Sequence, residues 1–116
     1  MGAETIWISK QSSGTGLYLE DNEGNSGNNT ITTNVSRGDS VTWKLKEGGG
    51  ITKITGISEK DEPGNQNIFS SGPSKVSDSE WQGTVSTNAS GNEFYSIEYE
   101  IDGTPYTDDP ELDVQT

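Results

Sequence analysis

From Tyr95 to Ile101 the chain alternates without a break. Tyr95, Ile97, Tyr99 and Ile101 take the odd positions, and Ser96, Glu98 and Glu100 stand between them. A period of two sends every second side chain to the same face of an extended strand, so this stretch buries one face and wets the other. An amphipathic helix would need apolar residues recurring three and four apart over several turns, and no stretch of the chain sustains that periodicity. The alternation recurs with Ile6 and Ile8 in residues 5–9, Leu17 and Leu19 around Tyr18, and Ile31, Thr33 and Val35. It returns with Val41, Trp43 and Leu45 set against Thr42, Lys44 and Lys46, and a further strand is read from Ile51 to about Ser58. Trp81, Gly83 and Val85 repeat it, and Leu112 and Val114 mark a last short strand.

The breaks between these stretches are made of turn-forming residues. Ser12-Ser13-Gly14, Ser36-Arg37-Gly38-Asp39 and Asp102-Gly103 read as tight connections, since Gly adopts the positive φ that hairpin turns need. Asp21 to Asn29, rich in Asn and Gly, reads as a loop, and Gly48-Gly49-Gly50 as a flexible break. Glu59 to Asn67 is charged and holds a Pro-Gly turn, which excludes a buried strand. About eight short strands with regular turn signals predict an all-β chain: a single antiparallel Greek-key β-sandwich domain over residues 1–116.

Only 26% of the residues are hydrophobic and the formal net charge is −12, a combination that raises the question of disorder. The concentration of apolar residues in alternating runs, with three Trp and four Tyr, predicts a thin but real core instead. The charge excludes nucleic acid and anionic membrane surfaces as partners, because phosphate contacts need Lys and Arg. No 18-residue apolar stretch is present, so no membrane insertion is expected. The absence of Cys rules out disulfides and thiol chemistry, and Met1-Gly2 running straight into mature-looking sequence predicts a fragment whose leader has been trimmed.

Several stretches resemble the cupredoxins. Val35-Ser36-Arg37-Gly38-Asp39-Ser40-Val41-Thr42-Trp43 is similar to that family's strand-turn-strand V-x-x-G-D-x-V-x-W, and Phe69-Ser70-Ser71-Gly72 resembles its F-x-S-G loop. The strand beginning Phe94-Tyr95 resembles the one that leads into the copper-binding Cys and second His, and Leu112-Asp113-Val114 stands where the closing strand belongs. The resemblance implies a cupredoxin-like sandwich from about Thr33 to Val114, with an immunoglobulin-like one as the alternative. It does not carry copper chemistry with it. The place of the first His reads Gly48-Gly49-Gly50-Ile51-Thr52, and that of the Cys/His/Met loop reads Asp102-Gly103-Thr104-Pro105-Tyr106. Blue copper requires thiolate and imidazole ligands, and this chain has neither Cys nor His.

Without His or Cys, nucleophile–base pairs of the Ser–His or Cys–His kind are impossible, and most carboxylates fall on solvent faces; no catalytic residue is assigned and no enzyme is expected. Asp21, Glu23 and Asn25 alternate as calcium ligands could, but Ser26 and Thr32 break the EF-hand spacing. Asp102, Asp108 and Asp109 form a second acidic group, and no metal or cofactor ligand is assigned. Alternation places Trp43, Trp81, Tyr95 and Tyr99 in the core and leaves Trp7, Tyr18 and Tyr106 as the aromatics available to a binding face. Arg37-Gly38-Asp39 is read as a structural turn, and the sequons at Asn28, Asn34 and Asn88 as coincidences of composition. The expected protein is a metal-free, non-catalytic, monomeric module of an exported bacterial protein: secreted, periplasmic or on the cell surface. Its expected work is protein interaction or assembly; the alternative is a carbohydrate-binding accessory domain.

Overall fold

A computed structural model describes residues 3–28, 31–59 and 68–115, and the alternating stretches become strands in it. Among the described residues there are eleven: β1 (Ala3–Lys10), β2 (Leu17–Asp21), β3 (Ser26–Asn28), β4 (Thr32–Ser36), β5 (Ser40–Leu45), β6 (Lys53–Glu59), β7 (Phe69–Ser77), β8 (Glu80–Val85), β9 (Gly91–Ile101), β10 (Thr104–Asp108) and β11 (Glu111–Gln115). The expected eight are all there. The three additions are β3, β7 and β10, which are polar and short of apolar alternation. Pairing with a stronger neighbour, not their own pattern, makes them strands.

One sheet has the order β3-β2-β1-β5-β8-β7, and a second contains β10, β9, β11 and β4, with β6 paired to β9. The expectation of purely antiparallel pairing is corrected here. β1 runs parallel to β5, with Ile6 beside Trp43, and β11 runs parallel to β4, with Val114 beside Val35. Parallel neighbours cannot be joined by a tight turn. These pairs arise because the chain visits the other sheet between the paired strands: β4 comes between β1 and β5, and β5, β7 and β8 come between β4 and β11.

β9 pairs in one constant register with β10 and then with β11: Ile101 faces Thr104, Ile97 faces Asp108 and Phe94 faces Glu111. The two strands are therefore halves of one arm of a hairpin, divided at Asp109-Pro110. Pro110 has no N–H to give, but its carbonyl accepts from Tyr95 N at 3.1 Å, so the register survives the break. The hairpin closes through Asp102 (φ 51°) and Gly103 (φ 85°), the two positive φ values of a type I′ turn.

The odd-numbered side chains of β9 meet the inward residues of the six-stranded sheet. Ile6, Ile8, Leu17, Leu19, Val41, Trp43 and Val85 are buried from one side, and Val35, Ile54, Ile57, Tyr95, Ile97, Tyr99, Leu112 and Val114 from the other. Trp43 sits at the centre. Its indole Nε1 donates to Tyr95 Oη at 3.0 Å, and its ring lies against Tyr95 and Phe69 with centroids 5.5 and 6.0 Å away. Trp81 faces Trp43 across the β5–β8 pair and is partly buried against this core. Two further polar ties join the sheets. Thr33 Oγ1 donates to Asp21 Oδ2 at 2.8 Å, and Asp108 Oδ2 accepts from Leu17 N at 2.8 Å and lies 3.0 Å from Tyr99 Oη.

Replacing Tyr95 by Phe keeps the ring and strands a buried indole N–H, so Tyr95→Phe is expected to cost about 1–3 kcal/mol of unfolding free energy in urea titration. A loss of only a few tenths would mean that Trp43 is satisfied elsewhere.

Candidate binding face

Trp7 lies on β1 between buried Ile6 and Ile8, so the pleat turns its indole to the outside of the six-stranded sheet, where it is 37% exposed. Its direct neighbours across the strands are Glu20 on β2 and Lys44 on β5. Together with Leu45, Lys46 and Glu47 they line an open trough of about 310 Å³. Lys46 Nζ is 2.7 Å from Glu20 Oε1, which holds one cation and one carboxylate at the rim of the indole. Lys44 makes no ion pair among the described residues, and its other cross-strand neighbour is Glu80. The trough thus offers one apolar ring, two ammonium groups and two carboxylates.

A second concavity of about 200 Å³ opens beside the terminal strand β7, lined by Ser40, Ser71, Ser74, Val76, Gln82, Gly83 and Thr84. Val76 is 56% exposed. Among the described residues, Trp7 and Val76 are the large hydrophobic side chains left exposed, and both belong to the six-stranded sheet. Val76 was not among the expected site residues, because Ser70 to Ser79 has no alternation to read. β7 pairs with β8 through repeated register shifts, and the loop expected at Phe69–Gly72 is the start of that strand.

The other candidate aromatics divide. Tyr18 is partly buried on β2, opposite Ser9 on the same sheet as Trp7, but it does not line the trough. Tyr106 is corrected as a binding-face residue. It pairs with inward-facing Tyr99, stacks on that ring with centroids 5.7 Å apart, and packs against the core. The segment that the resemblance aligned with a ligand loop, Asp102 to Tyr106, is the hairpin turn and the start of β10. At the other expected ligand stretch, a Cβ on Gly49 would come within 2.7 Å of Ser9 Cβ, so only glycine fits this close approach. The two stretches do meet: Asp102 N donates to Thr52 Oγ1 at 2.8 Å. Arg37-Gly38-Asp39 is a built turn, with Asp39 buried, its Oδ2 accepting from Ser36 N at 2.8 Å, and Arg37 Nε donating to the Ala89 carbonyl at 2.7 Å.

At the end of the sandwich that carries the β2–β3 turn, carboxylates gather. Asp21 is buried and spends its oxygens on the turn: Oδ1 accepts from Glu23 N and Asn25 N at 2.9 Å each, and Oδ2 from Asn25 Nδ2 at 3.0 Å as well as from Thr33. Glu23 Oε1 reaches Asn34 N at 3.2 Å and so touches β4. Asp21, the first of the residues considered for calcium, is thus committed to holding the turn, and no group of three or more acidic side chains among the described residues is placed to hold a metal ion. Glu4 reaches into this end. It shares the parity of Ile6 and Ile8, a signal already visible in the sequence, and its Oε2 is buried without a hydrogen-bond partner among the described residues. Burial first, then Glu23 through charge and a hydrogen bond, then Asp39 and Asp21, raise its carboxyl from 4.5 to about 7. No helix among the described residues is long and apolar enough to cross a membrane.

A family profile described as a domain of unknown function (DUF8788) matches residues 3–107. Comparison with curated protein sequences finds no match. Among solved structures, the chain is similar to the inclusion body protein PixA from Burkholderia cenocepacia, with a TM-score of 0.58 at 9% identity over 98% of this chain and 96% of that one. A cysteine protease inhibitor from Entamoeba histolytica aligns over 98% of this chain and 97% of its own with a TM-score of 0.42 at 9% identity. The first likeness shows the fold, an all-β arrangement shared over nearly the full length of both chains. Neither of these two is a cupredoxin.

Because the fold raises the Glu4 pKa, the protonated carboxyl is the favoured form: its contribution is complete below about pH 4.5 and is lost as pH rises through about 7. The thermal midpoint is therefore expected to fall by about 3–8 °C across that window, and Glu4→Gln to flatten the slope. Parallel pH profiles for the two proteins would remove Glu4 as the cause.

Proposed function

The chain belongs to the DUF8788 family, and from that premise we propose that it is a non-catalytic, metal-free binding module of an exported bacterial protein, working in protein interaction or assembly. One observation carries this reading. Val76, exposed on the terminal strand β7 of the six-stranded sheet, stands beside an open concavity of its own. An exposed apolar side chain beside an open terminal strand offers a partner both a contact and an unpaired sheet edge. The rest of the chain favours solubility: its net charge of −12 opposes close approach of a second copy, which supports a monomer.

The non-catalytic part of the reading is supported by the use made of the gathered carboxylates. Asp21 and Asp39 hold turns through backbone N–H groups, and Glu4 lies against Glu23 at the inward edge of β1. The finer topological reading, a cupredoxin-like Greek key in preference to an immunoglobulin-like one, is part of the same proposal. It is supported by the hydrogen bond between Asp102 and Thr52, which brings together the two stretches that the resemblance aligns with copper ligands. At 9% identity the likeness to the inclusion body protein extends to the fold alone. A secreted, periplasmic or cell-surface location is proposed from the acidic, Gly-, Ser-, Thr- and Asn-rich composition.

The test is site-specific photo-crosslinking in the producing cell, with a benzophenone amino acid at position 76 and, as control, at Glu98 on β9 of the other sheet. A discrete protein adduct at 76 and none at 98 is the expected result. Equal labelling at both positions, or none at 76, would sink the reading.

A further inference from the structure

We propose that the Trp7 trough is a saccharide-binding site, taking a pyranose whose C–H face lies on the indole and whose hydroxyls are held at the rim. The inference stands apart from the protein-interaction reading, because it concerns a different concavity and a different ligand class.

The ligand is identified by the chemistry of the lining. Trp7 exposes part of its indole from a paired strand inside a sheet, with β2 on one side and β5 on the other, so its position is fixed by backbone hydrogen bonds on both edges. Around it stand groups that donate, Lys44 and Lys46, and groups that accept, Glu20 and Glu47. A ligand that satisfies this lining needs an apolar face and, around it, hydroxyls able both to give and to take hydrogen bonds. A pyranose has both; a lipid tail or an apolar peptide side chain has only the first.

Charge narrows the choice further. The molecule carries −12 overall, yet the four charged side chains of the trough cancel. Nucleic acids and other polyanions are repelled by the rest of the surface, and a neutral ligand is not. The Glu20–Lys46 ion pair at 2.7 Å fixes an acceptor and a donor before any ligand arrives, which lowers the ordering cost of binding. The volume agrees: about 310 Å³ lies at the small end of the range for small-molecule sites, enough for one or two sugar rings and too little for a longer buried chain. An open trough also lets a glycan continue past the site in either direction.

The experiment is a glycan microarray of microbial, plant and animal oligosaccharides probed with the intact chain, followed by titration of the strongest ligand in solution. Specific binding is expected, weakened at least about tenfold by Trp7→Ala, mostly retained by Trp7→Phe, and reduced several-fold by Lys44→Ala. Trp7 is outside the core, so Trp7→Ala should keep the thermal midpoint of the parent, and the Phe variant gives a second, ring-retaining comparison. A silent array, binding unchanged by Trp7→Ala, or a photo-crosslinker at position 7 that captures a protein would each overturn the proposal. The crosslinking result at position 76 is read separately, so the two readings can fail independently.

Discussion

Everything in this fold leans on the Trp43–Tyr95 contact. A chain with 26% hydrophobic residues cannot fill the space between two sheets with aliphatic side chains alone, so it uses large rings. Large rings with polar atoms bring an obligation, since a buried N–H without an acceptor costs about as much as the ring gains. For Trp43 the obligation is met across the sandwich, with the donor on β5 and the acceptor on β9, so that the bond ties one sheet to the other. Trp81 Nε1 is buried without a hydrogen-bond partner among the described residues. Burial pushes the Tyr95 phenol well above its ordinary range, which favours the neutral hydroxyl. The Asp21–Thr33 and Asp108–Leu17 bonds repeat the device, so that a core poor in aliphatic volume is pinned by specific polar links.

Parity made much of this legible. The inward set on β1, β2, β5, β9 and β11 follows from counting in twos, because a half-buried strand leaves the pleat no choice. What parity could not give was the identity of the strands that have no buried face to advertise. β7 runs through Ser, Gly, Pro and Lys and is a strand because β8 offers it partners. β10 is one because the Asp102-Gly103 turn folds it back on β9. Parallel pairing was invisible for a related reason: alternation says which face a strand buries but not which neighbour it takes. The candidate site was half legible. Trp7 stands out as the aromatic out of phase with Ile6 and Ile8, whereas Tyr106 lies on a strand without apolar alternation, whose inward side is set only by pairing with Tyr99.

Counting in twos also exposes the polar residues that the fold takes inside. Glu4 is in phase with Ile6 and Ile8, and Glu93 is in phase with Tyr95 and Ile97; the first is half-buried and the second fully so. Glu93 accepts from Ile68 N through Oε2, so its burial serves the chain that leads into β7. Glu4 has a different setting, among Glu23, Asp39 and Asp21, where keeping a proton relieves repulsion. In an acidic molecule the cost of one more buried charge is set by its neighbours as much as by desolvation, and the two glutamates differ on that account.

The β9–β10–β11 hairpin and the β4–β11 pair set an order of events along the chain. The hairpin needs only a two-residue reversal, so its contacts can form while the remainder is still unfolded. The β4–β11 pair must bring Thr32 to Glu111, 79 residues away, which requires closing a long loop before any contact repays it. Since β11 is the second half of the hairpin arm, a hairpin formed first would offer β4 a docking edge in place of a free segment. A sandwich rich in such distant pairings folds slowly for its size.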